Sequence, residues 1–344
     1  MATIGSRSGR IYGVILAIET SCDDTCAAVV ESDGRRALSN VVHTQTEHER
    51  YGGVVPEVAS RAHLERIDGV VEAALQEAGV SLDNVSSVAV TTKPGLIGAL
   101  LVGVAAAKGL AYSRRLPLIP VDHLEGHVAA AYLTDPELEP PFVALVASGG
   151  HTALYSFAAD RSMRLLGETL DDAAGEALDK GARMLGLGFP GGPAISKVVY
   201  EAGGDPARYE FPVALKEKTN LDFSFSGLKT SLLYRIRDLP DGRLHDEVPH
   251  LAASYEAAVV EALVRKLLGA AELQDASTLV VAGGVAANAL LRNRLEAECE
   301  ERGIKLVVPP SKLCTDNAAM IGAAAPHSTG IPYPYYLGLN ARSL

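Results

Sequence analysis

None of the four cysteines, Cys22, Cys26, Cys299 and Cys314, falls in a C-x-x-C pair, and they read as reduced, inert thiols. No basic segment followed by an apolar core opens the chain, and charge, Gly or Pro interrupts every long apolar stretch. The expectation is therefore a cytoplasmic protein with no membrane partner. G-x-x-x-x-G-K-[ST] is absent, which excludes a P-loop NTPase, and without G-x-S-x-G there is no nucleophile elbow. "GLGFPG", Gly186 to Gly191, formally matches G-x-G-x-x-G, but it follows a helical stretch and contains Pro190, so it is a poor dinucleotide fingerprint. Excess positive charge is lacking too. A net charge of -11 argues against a large nonspecific nucleic-acid surface, leaving room for a local basic patch or a basic partner.

What is present is material for two cores. The chain has 344 residues, 48% of them hydrophobic, and its length exceeds that at which one core usually stops growing. "MATIGSRSGRIYG" is polar and glycine-rich, a flexible tail over 1–13. After it, "GVILAIETS", "CAAVVES" and "ALSNVVHTQ" read as three strands, followed by a helix from Pro56 to about Ala78. The strand "VSSVAVTT", a helix from about Leu96, the strand "LPLIPV" and a further helix complete the first half. The second half repeats the order. "PFVALVASGG", "HTALYSFAA" and "SMRLLGETL" are strands; a helical insertion at about 174–245 and a long helix follow; then come "STLVVAGG", a helix, "IKLVVP" and a helix opening at Asp316. This is a duplicated βββαβαβα unit, an α/β protein with lobes at 14–135 and 136–344 and a central cleft to which the final helix returns. The ending "PHSTGIPYPYYLGLNARSL" reads as a surface tail.

Ligands in such a fold sit where strand ends face the cleft. The first hairpin of each copy carries a polar turn, "ETSCDDT" (Glu19 to Thr25) and "ASGGHT" (Ala147 to Thr152), whose backbone N–H groups could hold a phosphate. Either alone reads better as an ordinary hairpin turn, but two at equivalent places in a duplicated fold point to a phosphate or nucleotide. In "VVAGGVAANALL" the strand ends in Gly283-Gly284 just before a helix, where Asn288 either starts that helix or bonds a ribose or base.

His123 and His127 lie four apart in an apolar run, so they share a helical face and can reach one ion. Asp316 occupies the equivalent place in the second copy; it is either an N-cap or the third ligand, and a His2Asp set suits Zn(2+) or Fe(2+). A metallopeptidase fits poorly. H-E-x-x-H is absent, and Glu125, two residues after His123, lies about 200° round the helix.

"ETSCDDT", "GGVVPEVASRAH", "PGLIGALLVG", "HLEGH", "ASGGHT", "LDDAAGEALDKGARMLGLGFPGGP", "DFSFSGLKT", "GGVAAN" and "CTDNAAM" follow one another from Ile15 to about Ala325. In this series the chain resembles the bacterial branch of the tRNA adenosine threonylcarbamoyltransferase family (TsaD). The resemblance implies an actin-like ATPase fold. It implies transfer of a threonylcarbamoyl group from threonylcarbamoyl-AMP to the N6 amine of the adenosine 3′ of the anticodon, in tRNAs reading codons that begin with A, with release of AMP. Carried over, the metal ligands are His123, His127 and Asp316. The substrate contacts are Val146, Ala147, Ser148, Gly149, Gly150, Asp179, Gly192 and Asn288. It also implies one divalent metal, Fe(2+) or Zn(2+), ATP or ADP in the cleft, and two partners, a TsaB-like paralogue and a TsaE-like ATPase. Asp24 stands where the family commonly has Glu and is the candidate acid or base; Lys93 replaces a common Gly and reads as a solvated loop residue. The rival is an ATPase or kinase of the same fold.

Overall fold

Continuous apolar runs and short hairpins resolve into two sheets of identical plan in the computed structural model, which describes residues 13–46, 48 and 53–342. The tail expected over 1–13 lies, Gly13 apart, outside the described residues. The first sheet contains β1 (Val14–Glu19), β2 (Asp24–Glu31), β3 (Ala37–Thr44), β4 (Val85–Lys93) and β5 (Leu118–Asp122), in the order β3-β2-β1-β4-β5. β1, β2 and β3 pair antiparallel, whereas β4 and β5 join parallel to β1. The crossovers are α1 (Pro56–Ala78) and α2 (Ile97–Arg114), and α3 (His123–Thr134) leaves the end of β5. All six residues of β1 are buried, as expected of a central strand covered on both faces. By length and composition α2 could cross a membrane, but its Leu100, Val104, Ala107 and Ala111 are buried in the core of this sheet.

The second sheet repeats the plan with β6 (Phe142–Ala147), β7 (Thr152–Phe157), β8 (Met163–Glu168), β9 (Thr278–Ala282) and β10 (Lys305–Val307), in the order β10-β9-β6-β7-β8. Between β8 and β9 stand α4 (Ala174–Met184), α5 (Gly191–Ala202), α6 (Ser226–Arg237) and α7 (Leu244–Gln274). After β9 come α8 (Ala289–Arg302), the single turn α9 (Ser311–Cys314) and α10 (Ala318–Ala324). The duplicated α/β architecture expected from the sequence is thus observed strand for strand.

The chain forms two compact units. The first takes residues up to His48, Val54–Gly126 and everything from Asn317; the second contains His127–Asp316. The lobes drawn from sequence broke at 135/136, whereas by contact Asn317–Leu344 goes with the first unit. Small residues explain how α10 lies flat on β1 and β2: all seven are buried, and a Cβ on Gly322 would sit 2.4 Å from Val30 Cγ2. The ending is no surface tail. Tyr336 is fully buried, Leu118 and Ile331 exchange backbone hydrogen bonds of 3.0 and 2.8 Å, and Arg342 N–H donates to Thr92 O at 2.9 Å.

"DFSFSGLKT" has a structural explanation. Phe223 and Phe225 are buried and stacked, and Asp171, on the loop before α4, accepts hydrogen bonds from Phe225 N (2.7 Å), Ser226 N (3.2 Å) and the Ser224 and Ser226 hydroxyls (2.6 and 2.7 Å). A carboxylate from elsewhere in the chain therefore caps α6. Asp171→Ala should cost about 1 kcal/mol, the usual value of a cap, and Asp171→Asn less; chemical denaturation of the two variants checks this.

Candidate metal centre and active site

α3 begins where it does because Asp122 caps it, its Oδ1 accepting from Leu124 N at 2.8 Å. Lys93 is exposed, as expected, but it ends β4 and not a loop, and it pairs with that cap, its Nζ 3.2 Å from Asp122 Oδ2. The helix lifts His123 and His127 from the sheet four positions apart, and both rings are buried. His123 Nδ1 faces Glu19 Oε2 at 3.1 Å and Ser21 Oγ at 3.2 Å. His127 Nε2 lies 3.3 Å from Asp316 Oδ1.

Asp316 is not the helix cap. Asn317 has that role, its side chain accepting from Met320 N at 3.0 Å, and the carboxylate beside it is left to face the imidazole. One ligand atom from each of His123, His127 and Asp316 lies within 4.8 Å of the other two. Two donors each about 2.0–2.1 Å from a tetrahedral ion stand roughly 3.4 Å apart, so the His127–Asp316 separation already suits a bridging ion. Two neutral imidazoles and one carboxylate are a donor set for a borderline divalent metal, with room for an outside ligand. Glu125 does not stand where H-E-x-x-H places its base, since it lies two residues round the helix from His123; burial, with Asp122 adding to it, raises its pKa.

Gly126 lets this helix approach α10, since a Cβ there would come within 2.7 Å of Ile321 Cδ1. Asp24, the candidate acid or base, opens β2 opposite Thr44.

The remaining sequence-predicted residues belong to the second unit, and contacts connect them in series. Val146 and Ala147 end β6. Ser148 closes the turn to β7, its N–H donating to His151 O at 2.8 Å and its carbonyl accepting from Gly175 N, at the start of α4, at 3.1 Å. Gly149 and Gly150 form the exposed tip. Gly283, with φ of 87°, packs against this turn; a Cβ would lie 2.4 Å from Ala147 O, so only glycine fits. Asn288 caps α8, accepting from Leu291 N at 2.9 Å, and its amide donates to Glu256 Oε1 at 2.6 Å. Glu256 also accepts from the Ser196 hydroxyl of α5 at 2.6 Å, a network with no signal in the sequence. Asp179 on α4 accepts from Gly191 N at 2.6 Å, next to Gly192; burial raises its pKa despite that bond and the nearby Arg183. A separate cavity of about 790 Å³, lined by residues of mixed charge including Lys216, Glu261, Arg265 and Arg294, contains none of these residues.

Two mixed sheets of one order, with flanking helices, define an α/β protein with an actin-like fold. Component A of (R)-2-hydroxyglutaryl-CoA dehydratase from Acidaminococcus fermentans superposes on 92% of this chain and 97% of its own, with a TM-score of 0.52 at 14% identity, a likeness of fold alone. The profile of the family described as TsaD, tRNA N6-adenosine threonylcarbamoyltransferase, matches residues 36–323. Curated proteins of that name are 53% identical over 318 residues in Anaeromyxobacter dehalogenans (91% of this chain, 93% of that one) and 48% identical over 331 residues in Syntrophus aciditrophicus (96% of each). The chain belongs to the tRNA N6-adenosine threonylcarbamoyltransferase family. It is a transferase that modifies adenosine in tRNA.

Proposed function

We propose that this chain transfers threonylcarbamoyl from threonylcarbamoyl-AMP to the N6 amine of the adenosine following the anticodon, with a metal held by His123, His127 and Asp316. The observation that carries this is the convergence of two imidazoles and a carboxylate in a chain of this family. A bound Fe(2+) or Zn(2+) would supply Lewis acidity toward the carbamoyl oxygen. Adenine N6 is a weak nucleophile, so the chain's task falls mainly on the electrophile and the departing phosphate. In the turn Val146–Gly150 the exposed tip, Gly149 and Gly150, offers backbone N–H groups for that phosphate, as oxyanion donors do. Asp179, Gly192 and Asn288 lie along the contacts running from this turn and would hold the nucleoside of the adenylate. Asp179, whose pKa burial raises, would hydrogen-bond the ribose or base. Asp24 is the candidate acid or base on the first unit.

ATP or ADP would occupy the same nucleotide segments, as mimic of the adenylate or as regulator. An acidic chain acting on a polyanion is expected to borrow basic surface, which supports assembly with a TsaB-like paralogue and a TsaE-like ATPase, in the cytoplasm. The test supplies the chain and those partners with threonylcarbamoyl-AMP and a tRNA reading an A-initial codon. Mass spectrometry of the nucleosides should find threonylcarbamoyladenosine at one position, with one AMP released per transfer. ATP hydrolysis by the chain alone, with unmodified tRNA, would favour the ATPase reading instead.

A further inference from the structure

Glu19 is the last residue of β1, and its side chain is fully buried. Nothing in its sequence context marks it as more than part of a polar turn. Its two oxygens have separate tasks. Oε1 accepts from Ser21 N–H, while Oε2 accepts from the Thr91 hydroxyl of β4 and stands 3.1 Å from His123 Nδ1. Oε2 already accepts from the Thr91 hydroxyl and so faces Nδ1 as an acceptor, which puts the imidazole proton on Nδ1 and the lone pair on Nε2. Free imidazole side chains favour the opposite tautomer. A ligand bound through Nε2 needs the form that Glu19 imposes, and ring nitrogens of metal-bound histidines are commonly held in this way.

From this geometry we infer that Glu19 is a positioning residue: it fixes the tautomer and ring plane of His123 so that Nε2 is presented to the metal. Thr91 and Ser21 hold the carboxylate, and Ser21 Oγ, 3.2 Å from the same Nδ1, can stand in as acceptor only weakly. A merely structural Glu19, satisfied by Thr91 and the Ser21 amide, would leave the ring free to choose its tautomer.

The inference rests on the metal reading of His123, His127 and Asp316, and the experiment separates the two. Zinc affinity is measured by chelator competition on the full chain, wild type against Glu19→Gln, with His127→Ala as control. Glu19→Gln is expected to bind zinc about 10–100-fold more weakly, the usual effect of removing such a partner, with an unchanged far-UV spectrum. If His127→Ala loses zinc and Glu19→Gln binds within threefold of wild type, Glu19 is structural only and the inference falls. If His127→Ala binds as wild type, the metal reading itself falls. Should Glu19→Gln fail to fold, long-range ¹H–¹⁵N spectra of the metal-free wild type decide: His123 protonated at Nδ1 sustains the inference, and protonation at Nε2 overturns it.

Discussion

Asp316→Ala and His127→Ala should each lose the metal and threonylcarbamoyl transfer together, with affinity falling by more than about 100-fold, beyond the upper end of what losing an outer-shell partner costs. Asp316→Asn should fall nearly as far, since the amide keeps the size but loses the charge that neutralises a divalent ion. The fold should survive both changes at Asp316, because Asn317 and not Asp316 caps α10. Measuring metal content and thermal unfolding on the same samples separates loss of the ion from loss of structure. Glu125→Gln provides the contrast. If this carboxylate is neither ligand nor base, metal content and transfer should both be unchanged, whereas a metallopeptidase keeps its metal and loses activity when its helix-borne base is removed.

Tyr336→Ala should destabilise the first unit by about 3–5 kcal/mol, the range for deleting a buried aromatic ring. Tyr336 lies in the core with β1, β4 and α2 residues, and Tyr333 packs edge-on against it at 6.5 Å between ring centroids. Lys108 of α2 adds a tie, donating to the carbonyls of Leu337 (3.0 Å) and Leu339. The Tyr336 hydroxyl is buried without a hydrogen-bond partner among the described residues. Tyr336→Phe should therefore be neutral or stabilising, because removing an unsatisfied buried hydroxyl relieves a desolvation cost. Urea denaturation of the three proteins checks both directions. A loss below about 1 kcal/mol for Tyr336→Ala would mean that the ending is peripheral after all.

That contrast shows where sequence reasoning stops. Strands such as Val14–Glu19 and helices such as Pro56–Ala78 were legible to the residue or nearly so, because apolar period and turn residues are local signals. The ending was not, because Tyr336 is placed by contacts with residues far off in sequence and has no period around it. Asp316 was legible as a candidate ligand, but two strong capping residues stand side by side there, and the helix took Asn317. Asp171 capping α6 from 55 residues away and Glu19 holding a ring 104 residues away leave no local trace at all. The chemistry of a ligand set can be read from residue type and spacing. What fixes those ligands in place is tertiary.

The most direct measurement prepares the full chain free of metal, adds Zn(2+) or Fe(2+) in steps, and follows transfer to tRNA, in the presence of partners, against bound metal per chain. Transfer should be absent at the start, rise in proportion to occupancy and level off at one metal per chain, with His127→Ala flat throughout. Full transfer by the metal-free chain, or by His127→Ala at the same rate, would contradict the account.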